Sequence, residues 1–229
     1  NGLVETANTD LTLATPSFLN AGGTVTHVGV GEFDISTANV MNAGGSLVTR
    51  GGLTLNADSW TNSSVIQAGR LTVNVNNFAQ TASGQLLASS HLEGRGVNWT
   101  NDGLIASDGS LNLNLGGTYT GDGRLSSLGN LTFTAAQLGL SSATSIGGGA
   151  QTTFNIGGQL TNAGRLTSDG GLTINAGSVS NTGTLGAAQD LTIKTSSLVN
   201  DRGLIFSGRN MSLLLNDFTN QNGDVYSIG

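Results

Sequence analysis

The chain has 229 residues, of which 36 are Gly, one is Pro and none is Cys, and its formal net charge is −6 with 10% charged residues. So few basic residues exclude a stripe that neutralises phosphates, and nucleic acid is therefore not expected as a partner. No apolar run approaches the about 20 residues that span a bilayer, so we expect no membrane insertion of this segment. A hydrophobic fraction of 37% nevertheless predicts a folded chain rather than a disordered one.

A short repeat runs along the whole chain. Its unit is Φ-x-Φ-x-x-x-x-Φ-x-N followed by G-x-Φ, where Φ is usually apolar, and it is clearest as LTINAGSVSN at 172–181 with GTL at 183–185. Successive units begin 18 to 22 residues apart. The first Φ positions define eleven units, which we number as turns 1 to 11: Leu11, Phe33, Leu53, Leu71, Leu92, Leu111, Leu131, Thr152, Leu172, Leu191 and Met211.

Each unit predicts three short strands. A Φ-x-Φ run puts two side chains on one face of a strand and the polar one on the other. Gly, Asn, Ser and Asp separate the runs and favour sharp corners. A unit this small cannot bury its own apolar face, so each strand must pair in parallel with its equivalent one turn along. The predicted fold is all-β, a parallel β-helix (solenoid) of about eleven ~20-residue turns, formed by residues 1–229 as a single segment.

The eighth position of the unit is apolar in every turn and predicts a column of the core. It is occupied by Phe18, Val40, Trp60, Phe78, Trp99, Tyr119, Leu138, Leu160, Val179, Leu198 and Phe218. We expect the aromatic rings at 60, 78, 99 and 119 to stack in register along this column. The two tryptophans are accordingly assigned to the core rather than to a sugar-binding platform.

The tenth position predicts an inward column of amides. It is Asn20, Asn42, Asn62, Asn101, Asn162, Asn181, Asn200 and Asn220, with Gln80, Gly121 and Leu140 in the remaining turns. An inward Asn at a corner can hydrogen-bond the backbone and the Asn of the next turn. The Gly that precedes the third strand is expected to adopt φ > 0, as at Gly84, Gly103, Gly164 and Gly223.

Two turns depart from the pattern. THVGVGE at 26–32 lengthens turn 1, and QLGLSSATSIGGGA at 137–150 in turn 7 lacks both the Asn and the corner Gly. Regular turns offer a uniform surface of Ser, Thr and Asn, whereas interfaces are enriched in Arg and aromatic residues. If the segment binds a receptor, these two irregular stretches are the predicted sites.

The residues predict no catalytic, cofactor-binding or metal site. Hydrolases and lyases built on β-helices cluster carboxylates with Lys or Arg on one outer face. This chain has three glutamates, Glu5, Glu32 and Glu93, and one lysine, Lys194. The aspartates fall mostly in corners, where Asp bonds its own following backbone: Asp58, Asp102, Asp108, Asp169 and Asp201. His27 and His91 are three turns apart and have no carboxylate or Cys at metal-ligand spacing. We therefore expect no enzyme activity.

The repeats GLTINAGSVSNTGTL at 171–185 and DLTIKTSSLVNDRGLIFSG at 190–208 resemble the haemagglutinin repeats of two-partner secretion exoproteins, and the resemblance covers the whole chain. That family includes filamentous haemagglutinin adhesins and contact-dependent growth inhibition effectors. The resemblance implies a right-handed β-helix, secreted through an outer-membrane transporter and displayed as a filament on the bacterial cell surface. The family's NPNG-like secretion motif and VENN-like boundary are not found, so we expect an interior excerpt of a much larger exoprotein.

These expectations favour a non-enzymatic, rigid filament segment used in adhesion or in contact-dependent toxin delivery to neighbouring cells. The repeats do not distinguish the two uses, because both kinds of protein share them. A target-cell surface receptor or glycan is left open as a partner. The alternative is a carbohydrate-active β-helix protein that binds or cleaves a polysaccharide, and cleavage needs carboxylates that converge within about 5 to 10 Å on one outer sheet.

Overall fold

The computed structural model describes residues 2–43 and 45–229, and only the backbone of residues 39–43. Regular structure in these ranges is β-strand, and they contain no helix of a length and hydropathy that would cross a membrane. The strands are, in chain order, β1 (Leu3–Thr6), β2 (Leu11–Ala14), β3 (Thr24–His27), β4 (Glu32–Ser36), β5 (Asn39–Ala43), β6 (Ser46–Thr49), β7 (Gly52–Asn62), β8 (Val65–Gln80), β9 (Gln85–Gly96), β10 (Asn98–Asn101), β11 (Leu104–Ser107), β12 (Ser110–Leu115), β13 (Thr118–Thr120), β14 (Arg124–Ser127), β15 (Leu131–Ala135), β16 (Gln137–Leu140), β17 (Ser145–Gly148), β18 (Thr152–Asn162), β19 (Arg165–Ser168), β20 (Leu172–Asn181), β21 (Thr184–Ala187), β22 (Leu191–Lys194), β23 (Ser197–Asp201), β24 (Leu204–Ser207), β25 (Met211–Leu214), β26 (Asp217–Gln221) and β27 (Asp224–Ser227). The long strands β7, β8, β9, β18 and β20 continue around a corner and contain more than one of the predicted short strands.

The strands pair in parallel with their equivalents one turn along. The register links all eleven first positions, from Leu11 opposite Phe33 to Leu191 opposite Met211. Three sheets result, which we call the first, second and third sheets; in turn 9 they contain residues 172–175, 178–181 and 184–187. The parallel β-solenoid of about 11 turns is confirmed. At ~4.8 Å per turn the shaft is roughly 50 Å long.

The inward side chains form one apolar core along the axis. The eighth-position residues from Trp60 to Leu198 are at most 2% exposed, as predicted. Phe218 of turn 11 is 45% exposed, because no described turn lies over it. Val40 lies opposite Trp60 in the register, but its side chain is outside the described part.

The expected stack of four rings in the eighth-position column is wrong. Of these four residues, Phe78 and Trp99 are in ring contact, with 4.8 Å between centroids and 42° between planes. Tyr119 instead meets Phe133 edge-on at 5.2 Å, and Phe133 stacks on Phe154 at 5.4 Å. Because Phe133 and Phe154 belong to the first sheet, the contact of Tyr119 with Phe133 crosses the core between sheets, and the aromatic contacts do not form one continuous column.

Trp99 fills space that a first-sheet side chain occupies in other turns. Gly94 stands at the third position of turn 5, opposite Val73 and Leu113. A Cβ on Gly94 would lie 2.5 Å from Cη2 of Trp99 and 2.4 Å from Cδ2 of Leu113. The indole Nε1 of Trp99 donates to the carbonyl of Val75 at 2.9 Å, which fixes the ring in this position. Gly94 is therefore the small partner of the large ring.

Gly94→Ala is expected to lower the free energy of unfolding by about 1–3 kcal/mol, because the added methyl overpacks a filled site. Trp99→Phe in the same chain should recover part of the loss, since the smaller ring leaves room for the methyl. Urea unfolding of both single variants and the double variant gives the coupling energy. Additive losses would show that the two residues do not compete for the same space.

The tenth-position amides form a hydrogen-bonded ladder inside the corner between the second and third sheets. Asn62 donates from Nδ2 to Oε1 of Gln80 at 3.0 Å, and Gln80 donates from Nε2 to Oδ1 of Asn101 at 2.8 Å. A second run, with distances of 2.7 to 2.8 Å, joins Asn162, Asn181, Asn200 and Asn220. The amides also donate to carbonyls of the next turn, as Asn162 does to Thr184 at 3.0 Å. The inward amide column predicted from the sequence is confirmed in these turns.

The column is less regular in turns 1 and 2. Asn20 donates to the carbonyl of Ser46 at 3.3 Å rather than to another amide. The register shifts within β5, so Ala43 and not Asn42 lies opposite Asn62. The predicted equivalence of Asn42 and Asn62 is therefore wrong by one residue, and the side chain of Asn42 lies outside the described part.

The corner glycines do not adopt the left-handed conformation that the sequence predicted for Gly84, Gly103, Gly164 and Gly223. Positive φ occurs, within the described ranges, at Gly22 (66°), Gly121 (120°), Arg202 (55°) and Asn222 (51°). Glycine is required at the corners for a different reason. A Cβ on Gly103 would lie 2.2 Å from the carbonyl oxygen of Gly84, and one on Gly164 would lie 2.3 Å from that of Thr144. The corner glycines allow the backbones of successive turns to stack closely.

Tyr119 ends the first run of the amide ladder. Gly121 has no side chain at the tenth position of turn 6, and Nδ2 of Asn101 donates to the hydroxyl of Tyr119 at 3.1 Å instead. Burial raises the pKa of Tyr119 well above its ordinary value, and the hydrogen bond with Asn101 offsets this only in part. The folded chain therefore keeps this phenol neutral.

The shaft is expected to lose stability as the pH rises above about 10, the pKa of an exposed tyrosine. Above this pH the unfolded chain releases the Tyr119 proton while the folded chain retains it, so unfolding becomes more favourable; below it both states hold the proton and the stability is complete. Tyr119→Phe should remove this alkaline loss, whereas Tyr226→Phe, at an exposed position, should leave it in place. Urea midpoints between about pH 8 and 11 test this. An equal alkaline loss with and without the Tyr119 hydroxyl would contradict it.

Candidate interaction surface

The outer face of the first sheet carries two polar columns. The second position of the unit is mostly Thr, and the fourth is Asn in five turns. Nδ2 of Asn74 donates to Oδ1 of Asn56 at 2.9 Å, and Asn175 donates to Asn155 at the same distance. This outer amide column was visible as Asn at the fourth position of the unit, and the sequence analysis missed it.

The outer face of the second sheet is uncharged in its outward positions from turn 3 to turn 10. Oδ1 of Asn98 accepts from both the backbone N–H and the hydroxyl of Thr118 at 3.1 Å. Gly139 contributes to a depression of about 120 Å³ that Gln137 and Gln159 also line. This face therefore offers hydrogen bonds but no charge.

The outer face of the third sheet carries arginines and aromatic side chains, the residue types that are enriched in interfaces. Arg124 and Arg165 are both exposed on it. Further along, the ring of Phe206 covers Gly186, where a Cβ would meet ring atoms at 2.1 to 2.5 Å. Phe206 also stacks on Tyr226, with centroids 6.1 Å apart and planes at 22°. The predicted binding sites were the irregular turns, so this face was not among them.

A groove of about 860 Å³ runs along the corner between the first and second sheets over turns 6 to 10. Its floor is made of small residues: Gly116, Ala136, Gly157 and Gly177. Its polar lining is the outward column of the first sheet: Asn114, Thr134, Asn155, Asn175 and Lys194. The groove is shallow and open to solvent. The groove combines amide and hydroxyl groups with an apolar floor.

The two irregular stretches lie outside this groove. Residues 137–150 form β16, β17 and the corner between them. In 26–32, His27 is buried, while Val28 and Val30 project from the corner with exposed fractions of 43% and 81%. Glu32 forms an ion pair with Arg70. The prediction that these stretches bind a receptor stays a prediction.

Two corner aspartates accept hydrogen bonds from the backbone of the next turn. Oδ1 of Asp102 accepts from the backbone N–H of Asp122 at 3.0 Å, and Oδ1 of Asp190 accepts from that of Asn210 at 3.1 Å. The corner position predicted for Asp102 is correct, but its expected partner, the backbone that follows it, is wrong because the adjacent turn presents a nearer N–H. No group of three His, Cys, Asp or Glu side chains is placed to hold a metal ion among residues 2–43 and 45–229.

The structure does not bring the two histidines together. Nε2 of His27 donates to the carbonyl of Asn8 at 2.9 Å, and its Nδ1 lies 3.0 Å from the hydroxyl of Thr49. Nδ1 of His91 lies 2.7 Å from the hydroxyl of Ser110. Both rings are thus bonded to neighbouring turns of the shaft.

Comparison with known proteins explains this architecture. The haemagglutinin repeat family matches three overlapping segments, residues 8–93, 66–167 and 149–224. The chain belongs to the haemagglutinin repeat family. The resemblance drawn from residues 171–185 and 190–208 is confirmed. In this chain the haemagglutinin repeats are the stacked three-strand turns.

A relative of these haemagglutinin repeats is the deoxyribonuclease CdiA of Dickeya dadantii (strain 3937). The two chains are 26% identical over 241 residues, which cover 86% of this chain and 7% of the relative. The chain thus spans a small part of that protein's length. No solved structure matches this chain.

Turn 7 departs most from the haemagglutinin repeat. Its tenth position is Leu140, and Thr144 closes the corner in place of the usual Asn and Gly. The hydroxyl of Thr144 donates to the carbonyl of Gly121 at 2.6 Å and accepts from the N–H of Ser141 at 3.1 Å. A hydroxyl within the turn therefore replaces part of the amide ladder.

Proposed function

We propose that this chain is a non-enzymatic, rigid shaft segment of a secreted bacterial surface exoprotein. The observation that carries the proposal is the unbroken series of first positions that pair in parallel from Leu11 to Met211 around one apolar core. Such an array sets the distance and the direction between the parts of a protein that it joins. Membership of the haemagglutinin repeat family supports the same use.

The shaft would serve adhesion or contact-dependent delivery of a toxin to neighbouring cells. The relative CdiA supports the second use, because that protein is a deoxyribonuclease by name. The shaft's own role is to hold a distal module away from the producing cell. The repeats fit export by an outer-membrane two-partner secretion transporter, with folding turn by turn as the chain emerges, since each turn contacts only its neighbours.

The polar surface argues against catalysis in this segment. Several aspartates at its corners are engaged by other groups of the shaft: Asp102 by the backbone N–H of Asp122 and Asp58 by the side-chain amide of Asn76. Glu93, on the first sheet, is paired with Arg95 at 2.6 Å. A glycosidase needs two carboxyl groups that flank the scissile bond, whereas Asp102 is bonded to a backbone N–H and Glu93 to a guanidinium.

Whole-turn deletion within the complete exoprotein tests the spacer role. Removing residues 172–190 takes out one turn and lets Leu191 replace Leu172 in the register, so display on the cell surface and adhesion or toxin delivery should continue. Removing residues 172–181 takes out half a turn, misaligns the three sheets and should abolish display. Normal display with loss of adhesion and delivery after the whole-turn deletion would show that turn 9 carries a specific function.

A second candidate, polysaccharide binding, is favoured by the groove. Amide side chains such as Asn155 and Asn175 face an apolar floor there, and this combination suits hydroxylated rings. The test measures how much O-polysaccharide, purified from target cells, binds to the chain. The double variant Asn155→Ala/Asn175→Ala should bind less of it. The matched control is Asn56→Ala/Asn74→Ala, which alters the same outer column away from the groove. Equal attachment by both double variants would remove the groove as a binding site.

A further inference from the structure

From turn 3 to turn 11 the second sheet is narrowest at turn 6. Strand β13 has three residues, and the register joins two of them to β10 on one side and two to β16 on the other. Four residue pairs join β10 to β8 in the preceding turns, and four join residues 178–181 to residues 197–200. Backbone pairing is therefore reduced by half on both sides of Tyr119.

The amide ladder breaks at the same place. Gly121 and Leu140 occupy the tenth positions of turns 6 and 7, so no amide links Asn101 to Asn162. Asn162 is fully buried, and its Oδ1 has no hydrogen-bond partner. The missing donor belongs to the position of Leu140, which lies opposite Asn162 in the register. An unsatisfied buried acceptor weakens the interface between turns 7 and 8.

The third sheet keeps four residue pairs with each adjacent turn, but its side-chain packing and that of the core are reduced here. Strand β17 ends in Gly147 and Gly148, and glycine within a strand leaves no side chain to pack. A Cβ on Gly148 would lie 2.0 Å from Oγ1 of Thr152. Thr152 replaces the apolar residue that starts the other ten turns and donates to the hydroxyl of Ser168 at 3.0 Å. A polar contact thus stands where the other turns bury an aliphatic or aromatic side chain.

Aromatic rings maintain the core across the break. Tyr119 meets Phe133 at 5.2 Å, and Phe133 meets Phe154 at 5.4 Å, so apolar contact continues from turn 6 to turn 8. These contacts are not directional in the way that hydrogen bonds are. They hold the turns on either side of the gap together, but they do not fix the relative position of these turns as the hydrogen bonds of the amide ladder do elsewhere.

We propose that turns 6 and 7, residues 111–151, form a built-in yielding point that divides the shaft into two cooperatively folding units. In a repeat array each turn is stabilised by its own contacts and by those with its two neighbours, so separation starts at the weakest interface. The Asn62 ladder holds the unit before the yielding point, and the Asn162 ladder holds the unit after it. A pulled or bent shaft opens at this point and keeps both ladders intact.

Native-state hydrogen exchange of the whole 229-residue chain is the direct test. Backbone amides of residues 118–120 and 137–140 should exchange at least tenfold faster than those of residues 98–101 and 178–181, which lie in the same sheet. Uniform protection along the second sheet, or the slowest exchange at turns 6 and 7, would overturn the proposal.

A matched pair of variants tests the ladder gap itself. Leu140→Asn supplies a donor opposite Oδ1 of Asn162 and should slow exchange at residues 159–162 several-fold. Leu138→Asn makes the same chemical change two residues away, in an apolar column without an amide partner, and should speed exchange throughout turn 7. Faster exchange at residues 159–162 in both variants would show that the gap does not weaken this interface.

Discussion

Trp99→Ala is expected to lower the free energy of unfolding by about 3–5 kcal/mol, the cost of emptying a large buried site that cannot collapse. Trp99 is 1% exposed and lies 4.8 Å from the ring of Phe78. Its neighbour Gly94 has no side chain to fill the space, and the carbonyl of Val75 loses the donor at 2.9 Å. Both the packing and the hydrogen bond are therefore lost together.

Urea unfolding of the purified chain, followed by far-ultraviolet circular dichroism, measures this loss. Val97→Ala is the control, because Val97 is 42% exposed two residues away and its truncation should change stability by less than about 0.5 kcal/mol. Equal midpoints for the two variants would mean that the indole does not pack in the core.

Asn181→Leu is expected to cost about 1–3 kcal/mol through hydrogen bonds lost from the interior. Asn181 is fully buried, receives a bond from Asn162 at 2.7 Å and donates to Asn200 at 2.8 Å. Leucine has a similar size but can neither accept nor donate. Thermal melting of the variant gives the loss.

Asn175→Leu is the matched control for the inner ladder. Asn175 is in the same turn and hydrogen-bonds Asn155 at 2.9 Å, but it belongs to the outer column, where water replaces a lost partner. Asn200→Asp should be destabilising like Asn181→Leu, since a carboxylate cannot donate to Asn220. Unchanged melting of both inner variants would mean that the inner column does not stabilise the shaft.

The repeat predicted the fold because one periodic pattern fixes strand number, direction and register together. The apolar positions had to face inward, and the Asn column had to lie beside them, which the register of Asn181 with Asn200 confirms. The backbone conformation of the corner glycines could not be predicted from the repeat. Glycine permits both positive φ and close backbone approach. A Cβ on Gly103 would lie 2.2 Å from the carbonyl oxygen of Gly84, so close backbone approach is the reason for glycine here.

The outer surface was harder to predict because it depends on which turns are adjacent. Gly116, Ala136, Gly157 and Gly177 each look unremarkable in one repeat, and only their alignment over successive turns makes the floor of a groove. Likewise, the cover that Phe206 gives to Gly186 joins two turns. A single repeat contains no signal for either feature, whereas aligning the repeats by column would have found both.

The amide ladder has a polarity. Asn62 donates to Gln80, Gln80 to Asn101, and the run from Asn162 to Asn220 donates in the same sense, always from one turn to the next in the chain. The side-chain dipoles therefore add along the axis instead of cancelling. Each completed turn holds an N–H group ready for the oxygen of the turn that follows, so turns that fold in chain order meet a template already oriented to receive them.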